Sequence, residues 1–312
     1  EVIAFRETFL VPPDNERLQI VNGDGADYLE NAEKGLDVLL VDAFDRTGFA
    51  PGLATRAFFE NAYAKLAGNG VLVINLAGEP IAAGRWSESR KQLLCNSRWL
   101  LTEQLVDLVK LSSTPPRLLL NASAIGWYGR QGDEPLDERC HHPHDEFTHR
   151  LCQRWEQLAL QARSPQTRVC IVRIGLVLGT DGGALPRMLP PYRLGLGGPM
   201  GPGSQMMSWI HVQDLVRAML FLLEHDECEG IFNGTAPQPV SNRLFSQTLA
   251  STLHRPHLFF VPAQLLRLLM GEAADLLLTG QHILPARLQE AGFHFTYPAL
   301  PEALGNLLQA PR

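Results

Sequence analysis

The chain alternates short apolar runs with longer stretches in which apolar residues recur every three or four positions. Five runs have the length and the branched side chains of buried strands, at 17–23, 37–44, 70–78, 117–124 and 168–175. Helical spacing occurs between them, near 54–67, 87–110 and 147–163. This alternation predicts an α/β fold built on a doubly wound, Rossmann-like parallel sheet.

The pattern changes near residue 180. The stretch "DGGALPRMLPPYRLGLGGPMGPG" (181–203) is rich in proline and glycine, and the residues after it show helical spacing with little strand signal. We therefore expect three regions. Residues 1–75 would form strand–helix units that complete the sheet, 76–180 the Rossmann-like core, and 181–312 a smaller, α-rich C-terminal cap on the substrate side.

Composition and charge exclude several classes of partner. The 312 residues carry a formal net charge of −6, and no lysine- or arginine-rich run offers a site for phosphate backbones, so nucleic acid is not expected. Five scattered cysteines, an odd number, indicate a reducing compartment, for which the cytoplasm is the default. No apolar run approaches the roughly 20 residues of a membrane helix, so no membrane partner is expected.

Ligands of parallel sheets bind beyond the carboxyl ends of the strands, so the residues there are the candidates for chemistry. In the first 75 residues they are carboxylates: Asp24 in "VNGDGADYL" (21–29), and Asp42 and Asp45 in "VDAFDRTG" (41–48). Two carboxylates three positions apart can attract a cationic amine and accept its proton. A structural alternative, in which these side chains cap helices and turns, stays open.

This segment resembles the polyamine aminopropyltransferases, the spermidine synthase family. The resemblance implies that Asp24 contacts the adenine side of decarboxylated S-adenosylmethionine, and that Asp42 and Asp45 hold the amine, Asp42 as the base. A second interpretation takes "IVNGDGADY" (20–28) as a reduced dinucleotide fingerprint, with Asp42, 19 positions after Gly23, as the ribose-binding acid.

A second set of motifs begins at residue 75. It includes "NLAGEPI" (75–81), "NASAIGWYG" (121–129), "RVCIVRIGLVLGTDGG" (168–183) and "SWIHVQDLVRAM" (208–219). These motifs resemble an atypical extended short-chain dehydrogenase/reductase of the epimerase-like family, over about three quarters of the chain. The resemblance implies a nicotinamide cofactor, NADP or NAD, together with a small-molecule substrate and a homodimer.

The same resemblance assigns residues to the site. Ser123 would hydrogen-bond a reacting oxygen of the substrate. The cofactor contacts would be Asn75, Leu76, Ala77 and Gly78. Gly175 is a further cofactor candidate because it lies at the end of a predicted strand.

Ordinary members of that family carry a Tyr-x-x-x-Lys pair that performs acid/base work, followed four residues later by Glu. Counting back from Glu156 places the Lys position at Cys152 and the Tyr position at Thr148. Thr148 cannot ionise near neutral pH, and Cys152 offers at most a thiolate where a cation is wanted. Conventional hydride chemistry through this pair is therefore not expected, and a buried core thiol is the alternative role for Cys152.

Replacement acid/base groups would have to come from nearby positions. Tyr128, His149 and Arg150 are the candidates, and at most one of His149 and Arg150 can share the helix face of Thr148 and Cys152. If none of these groups serves, the chain is a non-catalytic nucleotide-binding or scaffold protein.

Three further motifs receive structural interpretations. "CHHPHDE" (140–146) contains possible zinc ligands, but they crowd one loop without separated pairs, so a solvated loop without metal is expected. The glycine-rich stretch 194–203 has no preceding strand and is interpreted as a mobile loop on the substrate side. His211 and Asp214 are expected to pack rather than to catalyse.

The two resemblances meet at the strand predicted for 70–78. The glycine fingerprint of the reductase-like family is missing ahead of it, and transferase-like units stand in that place. The sequence therefore predicts a fusion of two related sheets with an impaired cofactor site. Aminopropyl transfer is the alternative activity.

Overall fold

The structure is a computed structural model that describes residues 29–32, 34–42, 44–45, 48–49, 55–75, 80–82 and 84–309. The chain divides into two compact units, Glu1–Ala77 and Gly78–Arg312. The strand predicted at 17–23 lies outside the described residues, as do Asp24 and the cofactor candidates Leu76, Ala77 and Gly78.

The first unit contains a pair of parallel strands, β1 (Leu36–Asp42) and β4 (Leu66–Asn75). Between them lie two short antiparallel strands, β2 (Phe44–Asp45) and β3 (Gly48–Phe49), and helix α1 (Arg56–Lys65). The side chain of Thr55 caps α1 by accepting a hydrogen bond from the Phe58 amide at 3.1 Å. Both strands and the helix fall where the apolar periodicity predicts them.

The second unit is built on three parallel strands in the order β11-β7-β5. They are β5 (Leu118–Ala124), β7 (Arg168–Ile174) and β11 (Gly230–Gly234). Helix α2 (Glu88–Leu111) precedes β5 along the chain, and helix α3 (Phe147–Leu160) lies between β5 and β7.

Helices cover both faces of this sheet, as the alternation along β7 shows. Val169 and Ile171 pack with residues of α2 and α3, whereas Cys170 and Val172 pack against helix α5 (Val212–Glu224) on the other face. Because side chains alternate along a strand, the run "VCIV" is buried on both sides. The predicted doubly wound α/β fold is confirmed.

The rest of the second unit consists of short strands, helices and two turns of 3₁₀ helix. The remaining strands pair as β8 with β10, β9 with β12 and β6 with β13. The elements are β6 (Pro135–Leu136), β8 (Leu176–Leu178), α4 (Ala184–Arg193), β9 (Met206–Met207), β10 (Trp209–His211), β12 (Val240–Ser241), α6 (Asn242–Thr252), α7 (Ala263–Met270), α8 (Asp275–Leu278), β13 (His282–Ile283), α9 (Ala286–Glu290), α10 (Leu300–Gln309), and 3₁₀ turns at Ile125–Tyr128 and Gly271–Ala274.

Two apolar clusters of this unit frame the site described below. One surrounds Trp209 and joins α4, α6 and α10. The other, which we call the tryptophan cluster, joins α2, α3 and the end of β5. Its aromatic members are Trp86, Trp99, Trp127, Phe147 and Trp155.

Strand β11 was not predicted, because only two of its five residues, Ile231 and Phe232, are apolar. Residues 181–312 therefore contribute a strand to the central sheet as well as helices. Within the described part of the chain, no helix has the length and hydrophobicity needed to cross a bilayer.

Candidate functional site

The candidate site lies at the carboxyl end of β5, where the chain leaves the sheet and turns into the 3₁₀ helix Ile125–Tyr128. Ser123 is the penultimate residue of β5 and pairs in register with Arg173 on β7. Neighbours in register point to the same face of a sheet, so both side chains face α3, which packs there. Helix α3 thus covers the end of β5, where the sequence predicts the chemistry.

A buried polar network connects the sheet to α3. Ser123 Oγ donates to Glu156 Oε1 at 2.7 Å, and Arg173 donates to the two carboxylate oxygens of Glu156 at 2.9 and 2.8 Å. The side chains of Arg173 and Glu156 are only 1% and 4% exposed. Burial opposes the guanidinium charge, but the hydrogen bonds and charge of Glu156 hold the pKa of Arg173 above its ordinary value.

This network fixes the hydroxyl of Ser123. Its proton points to Glu156, so the oxygen can accept a hydrogen bond from another group but does not donate one to a ligand in this arrangement. Arg173 also stacks on the indole ring of Trp127, with its Cζ 3.5 Å from the ring centroid. One connected group of side chains is therefore formed by Ser123, Trp127, Glu156 and Arg173.

Tyr128 ends the 3₁₀ helix and is fully buried. Its hydroxyl lies 2.9 Å from Asn233 Oδ1 and 3.1 Å from the carbonyl oxygen of Asp137, both of which are acceptors. Burial, against the opposing effect of Arg173, raises the pKa of Tyr128 to about 12. The phenol is therefore protonated at neutral pH and braces β11, so it does not act as a general base there.

Thr148 and Cys152 lie one turn apart on α3 and face the 3₁₀ helix. A Cβ placed on Gly126 would lie 3.2 Å from Thr148 Cβ and 3.7 Å from Cys152 Sγ, so the two elements are in close contact. Thr148 Oγ1 donates to Glu146 Oε1 at 2.9 Å. Burial, and next the charge of Glu156, raise the pKa of Cys152 to about 12. The thiol is neutral and packs in the tryptophan cluster.

The other two candidates on α3 face different directions. His149 is buried, and its Nδ1 lies 2.5 Å from the carbonyl oxygen of Trp127. Arg150 is exposed and pairs with Asp145 at 2.8 Å. His149, rather than Arg150, thus joins the side of α3 that faces the 3₁₀ helix.

Gly175 follows β7, and its surroundings explain why glycine stands there. A Cβ at this position would lie 2.5 Å from the carbonyl oxygen of Ser208 and 2.9 Å from Thr235 Cγ2. Its amide donates to Gly234 at 3.1 Å. The glycine therefore permits a close approach of two backbone segments, whatever else it contacts.

The acidic candidates of the first unit are described through the backbone only. Asp42 is the last residue of β1 and pairs in register with Asn75, the last residue of β4, so both reach the same edge of the parallel pair. Asp45 belongs to β2.

Other sequence motifs take structural roles. No group of three His, Cys, Asp or Glu side chains among the described residues could hold a metal ion, the loop 140–146 included. His211 caps α5 by accepting from the Gln213 amide at 3.0 Å. Asp214 is buried and accepts from the amides of Thr296 and Tyr297 at 2.9 and 2.8 Å.

Sequence reasoning missed Arg173 and Asn233. Arg173 had a visible signal, because it is a charged residue inside the apolar run "RVCIVRI", where burial demands a partner. Asn233 had none, since β11 itself was not predicted.

The described residues fit a nicotinamide cofactor in part. Ser123 and the 3₁₀ helix lie at the carboxyl end of the sheet, where such folds bind ligands. Helix α3, however, contains no lysine to bind a ribose. The residues 76–79, which would flank the pyrophosphate, lie outside the described residues.

Comparison with protein families assigns different parts of the chain to different families. Residues 61–233 match the NAD dependent epimerase/dehydratase family, residues 3–84 match the spermine/spermidine synthase domain, and residues 261–307 match a domain of unknown function, DUF1731. The first of these matches covers more than half of the chain.

Individual relatives agree with the first match. An epimerase family protein of Staphylococcus epidermidis is 40% identical over 239 residues, which are 77% of this chain and 80% of that protein. The chloroplastic SDR39U1 homolog of Arabidopsis thaliana, also an epimerase family protein, is 41% identical over 239 residues, 76% of this chain and 68% of that protein.

Two solved structures extend the comparison. Human epimerase family protein SDR39U1 (isoform 2), solved with NADPH, is 30% identical with a TM-score of 0.74 and covers 88% of this chain and 100% of its own. The UDP-glucose 4-epimerase of Thermus thermophilus, solved with NAD, shares the fold at 17% identity, with a TM-score of 0.67 over 87% of this chain and 89% of its own. With the parallel sheet and the site at its carboxyl end, these matches place the chain in the NAD dependent epimerase/dehydratase family.

Proposed function

We propose that this chain binds a nicotinamide dinucleotide, NADP(H) before NAD(H), at the carboxyl end of the β11-β7-β5 sheet and acts there on a small substrate. The observation that carries the proposal is the similarity to the human protein solved with NADPH, which extends over the whole length of that protein. Ser123 and the 3₁₀ helix 125–128 would lie along the nicotinamide end, and Asn75, Leu76, Ala77 and Gly78 beside the ribose and pyrophosphate.

A bound nicotinamide would supply hydride transfer, and the protein would have to manage the accompanying proton. Neither Tyr128 nor Cys152 can accept this proton near neutral pH, since the pKa of each is about 12, and the hydroxyl proton of Tyr128 is directed to acceptors of the protein itself. Thr148 does not ionise, and the proton of Ser123 is directed to Glu156. We therefore expect the chain to bind the cofactor but to turn over its substrate slowly. Any proton transfer would rely on the substrate or on His149.

Calorimetric titration with NADPH, NADH and methylthioadenosine tests the proposal directly. We expect saturable NADPH binding with a micromolar dissociation constant, which corresponds to about −8 kcal/mol, and weaker binding of NADH. Absence of binding by either dinucleotide would overturn the proposal. A Cys152→Ser variant serves as the control. It should bind NADPH with the affinity of the wild type, because the thiol that it replaces is buried and neutral.

A second candidate activity is aminopropyl transfer, which the match of residues 3–84 to the spermine/spermidine synthase domain favours. It would use decarboxylated S-adenosylmethionine, with Asp24 at the adenine and Asp42 and Asp45 at the amine. Binding of methylthioadenosine that is lost in an Asp24→Asn variant would support it. The match covers about a quarter of the chain, so we rank it second.

The two matches overlap at residues 61–84, which contain the second half of α1 and all of β4. We propose that transferase-like strand–helix units at 1–75 are joined there to the reductase-like residues 76–180 and the cap 181–312. Expression of residues 78–312 alone tests whether the reductase-like part folds without the transferase-like units.

A further inference from the structure

One segment of the second unit exposes apolar side chains that most proteins would bury. We call it the apolar strip. Its members are between 46% and 82% exposed: Leu258, Phe259, Phe260, Leu265, Leu268 and Leu269. The three leucines of α7 are spaced i, i+3 and i+4 and so share one helix face, and α7 has no buried residue. Large exposed apolar side chains that are grouped along one segment in this way mark a binding surface.

The charges at the two ends of the strip differ in sign. The chain has a net charge of −6, yet it contains no Asp or Glu from 230 to 271, where three arginines occur. The loop 194–201 runs beside the strip, since Met200 bridges Val261 and the Gly201 amide donates to Val261 at 2.8 Å. That loop follows the exposed Arg193, and the exposed Arg255 precedes the strip. The strip is therefore apolar along its length. Arg193 and Arg255 lie near the end that holds Leu258, whereas Glu272 and Asp275 follow the other end and are paired there with Lys91 and Arg130.

Two sets of contacts link the end of α7 to α3, the helix that covers the candidate site. Arg85 donates to the carbonyl oxygens of Leu268 and Leu269, which ties the end of α7 to the segment before α2. The next residue, Trp86, packs edge-on against Phe147 at a centroid distance of 5.0 Å, and Phe147 is the first residue of α3.

Ion pairs make a second connection between the two regions. Arg130 pairs with Asp275 at 3.3 Å and with Glu146 at 3.0 Å, and Glu146 accepts the hydrogen bond of Thr148. The segment that follows α7 is thus held against the start of the helix that carries Thr148 and Cys152.

From this arrangement we propose that the substrate is an anionic amphiphile, whose hydrocarbon part lies on the apolar strip and whose negative charge lies near Arg193 and Arg255. This assignment rests on the proposed function and specifies its substrate class. A sugar nucleotide would present hydroxyl groups and a pyrophosphate to the strip, and the six side chains of the strip offer them no hydrogen-bond partner.

Decanoate is a suitable probe because it is a soluble monoanion with a hydrocarbon chain. We expect calorimetry on the full chain to show saturable decanoate binding, no binding of UDP-glucose, and at least tenfold weaker decanoate binding in a Leu268→Gln/Leu269→Gln variant. The matched control is Val216→Gln/Leu220→Gln, a pair on one face of α5 that is 50% and 49% exposed. Arg255→Gln should weaken decanoate binding several-fold and reduce its dependence on salt.

NADPH titration of the same variants separates this inference from the proposed function. We expect NADPH to bind all of them equally and decanoate to change NADPH affinity in the wild-type chain, because a substrate site adjoins its cofactor.

Equal loss of decanoate binding in the strip and control variants would overturn the inference. So would binding of the strip to phosphatidylglycerol vesicles without binding of monomeric decanoate, or a dimer that the strip variant dissociates. If the strip binds decanoate but NADPH does not bind, the proposed function fails and the substrate assignment fails with it.

Discussion

Two regions of the second unit place polar and apolar groups in opposite ways. Beneath α3, a carboxylate, a guanidinium and a hydroxyl are buried and satisfy one another: Glu156, Arg173 and Ser123. On α7, leucines that could have formed a core are exposed, with Leu268 and Leu269 68% and 63% accessible. Buried polar groups cost free energy unless they are paired, and exposed apolar groups gain nothing until a partner covers them. The first region is therefore complete without a ligand, whereas the second has a surface to offer one.

Glu156→Ala should have the largest effect on stability, because it leaves the buried Arg173 without its counter-charge. Removing one partner of a buried pair costs about 3–5 kcal/mol, so we expect the urea midpoint to fall sharply or the second unit to unfold. Asp145→Asn, which breaks the exposed pair with Arg150, is the control and should leave the midpoint nearly unchanged. Similar small losses in both variants would remove the contrast between the two regions.

Gly175→Ala should have a smaller but clear effect. The new methyl group would lie 2.5 Å from the carbonyl oxygen of Ser208, and the backbone would have to move, at a cost of about 1–3 kcal/mol. Gly182→Ala is a matched control, since a Cβ there meets nothing within 4 Å. Thermal unfolding of both variants measures the difference, and an unchanged midpoint for Gly175→Ala would contradict the packing role of this glycine.

Alkaline pH should weaken the buried region through Cys152. The pKa of this thiol is about 12 when folded and 9.0 in its ordinary state, so above pH 9 the unfolded chain loses the proton before the folded chain does. Stability should then fall by up to about 1.4 kcal/mol per pH unit from this group. Urea unfolding between pH 8 and pH 10 should show a shallower decline in Cys152→Ala than in the wild type, and an equal decline in both would contradict the prediction.

Leu268→Gln/Leu269→Gln should have the smallest effect on stability. Both side chains are exposed, and substitutions of this kind usually change the free energy of unfolding by less than about 0.5 kcal/mol. A loss of several kcal/mol on urea unfolding would mean that the strip is part of the core, and the comparison between the two regions would fail.

The apolar periodicity predicts most of the fold, and particular residues show where this prediction fails. The run "RLLLNASA" became β5 and the spacing at 147–163 became α3, because the apolar pattern alone fixes which side of each element is buried. Strand β11 was missed because two apolar residues carry no periodicity.

The site was less predictable than the fold. The resemblance located Ser123, Thr148 and Cys152 along the chain, but their bonding depends on Arg173 and Glu146, which only the packing of α3 brings to them. The strip was missed for the opposite reason. The spacing of "LLRLLM" is that of a buried helix face, and a sequence pattern does not reveal that nothing covers it.

The tryptophan cluster also determines how this protein can be observed. Four of the five tryptophans in the chain, Trp86, Trp99, Trp127 and Trp155, belong to that cluster, and Trp127 lies against Arg173 beside Ser123. Reduced nicotinamide absorbs near-ultraviolet light where indole rings emit, so a dinucleotide bound at the end of β5 would quench most of the intrinsic fluorescence by energy transfer. The chain thus carries an optical reporter for its own site, and cofactor binding can be followed in real time without a label.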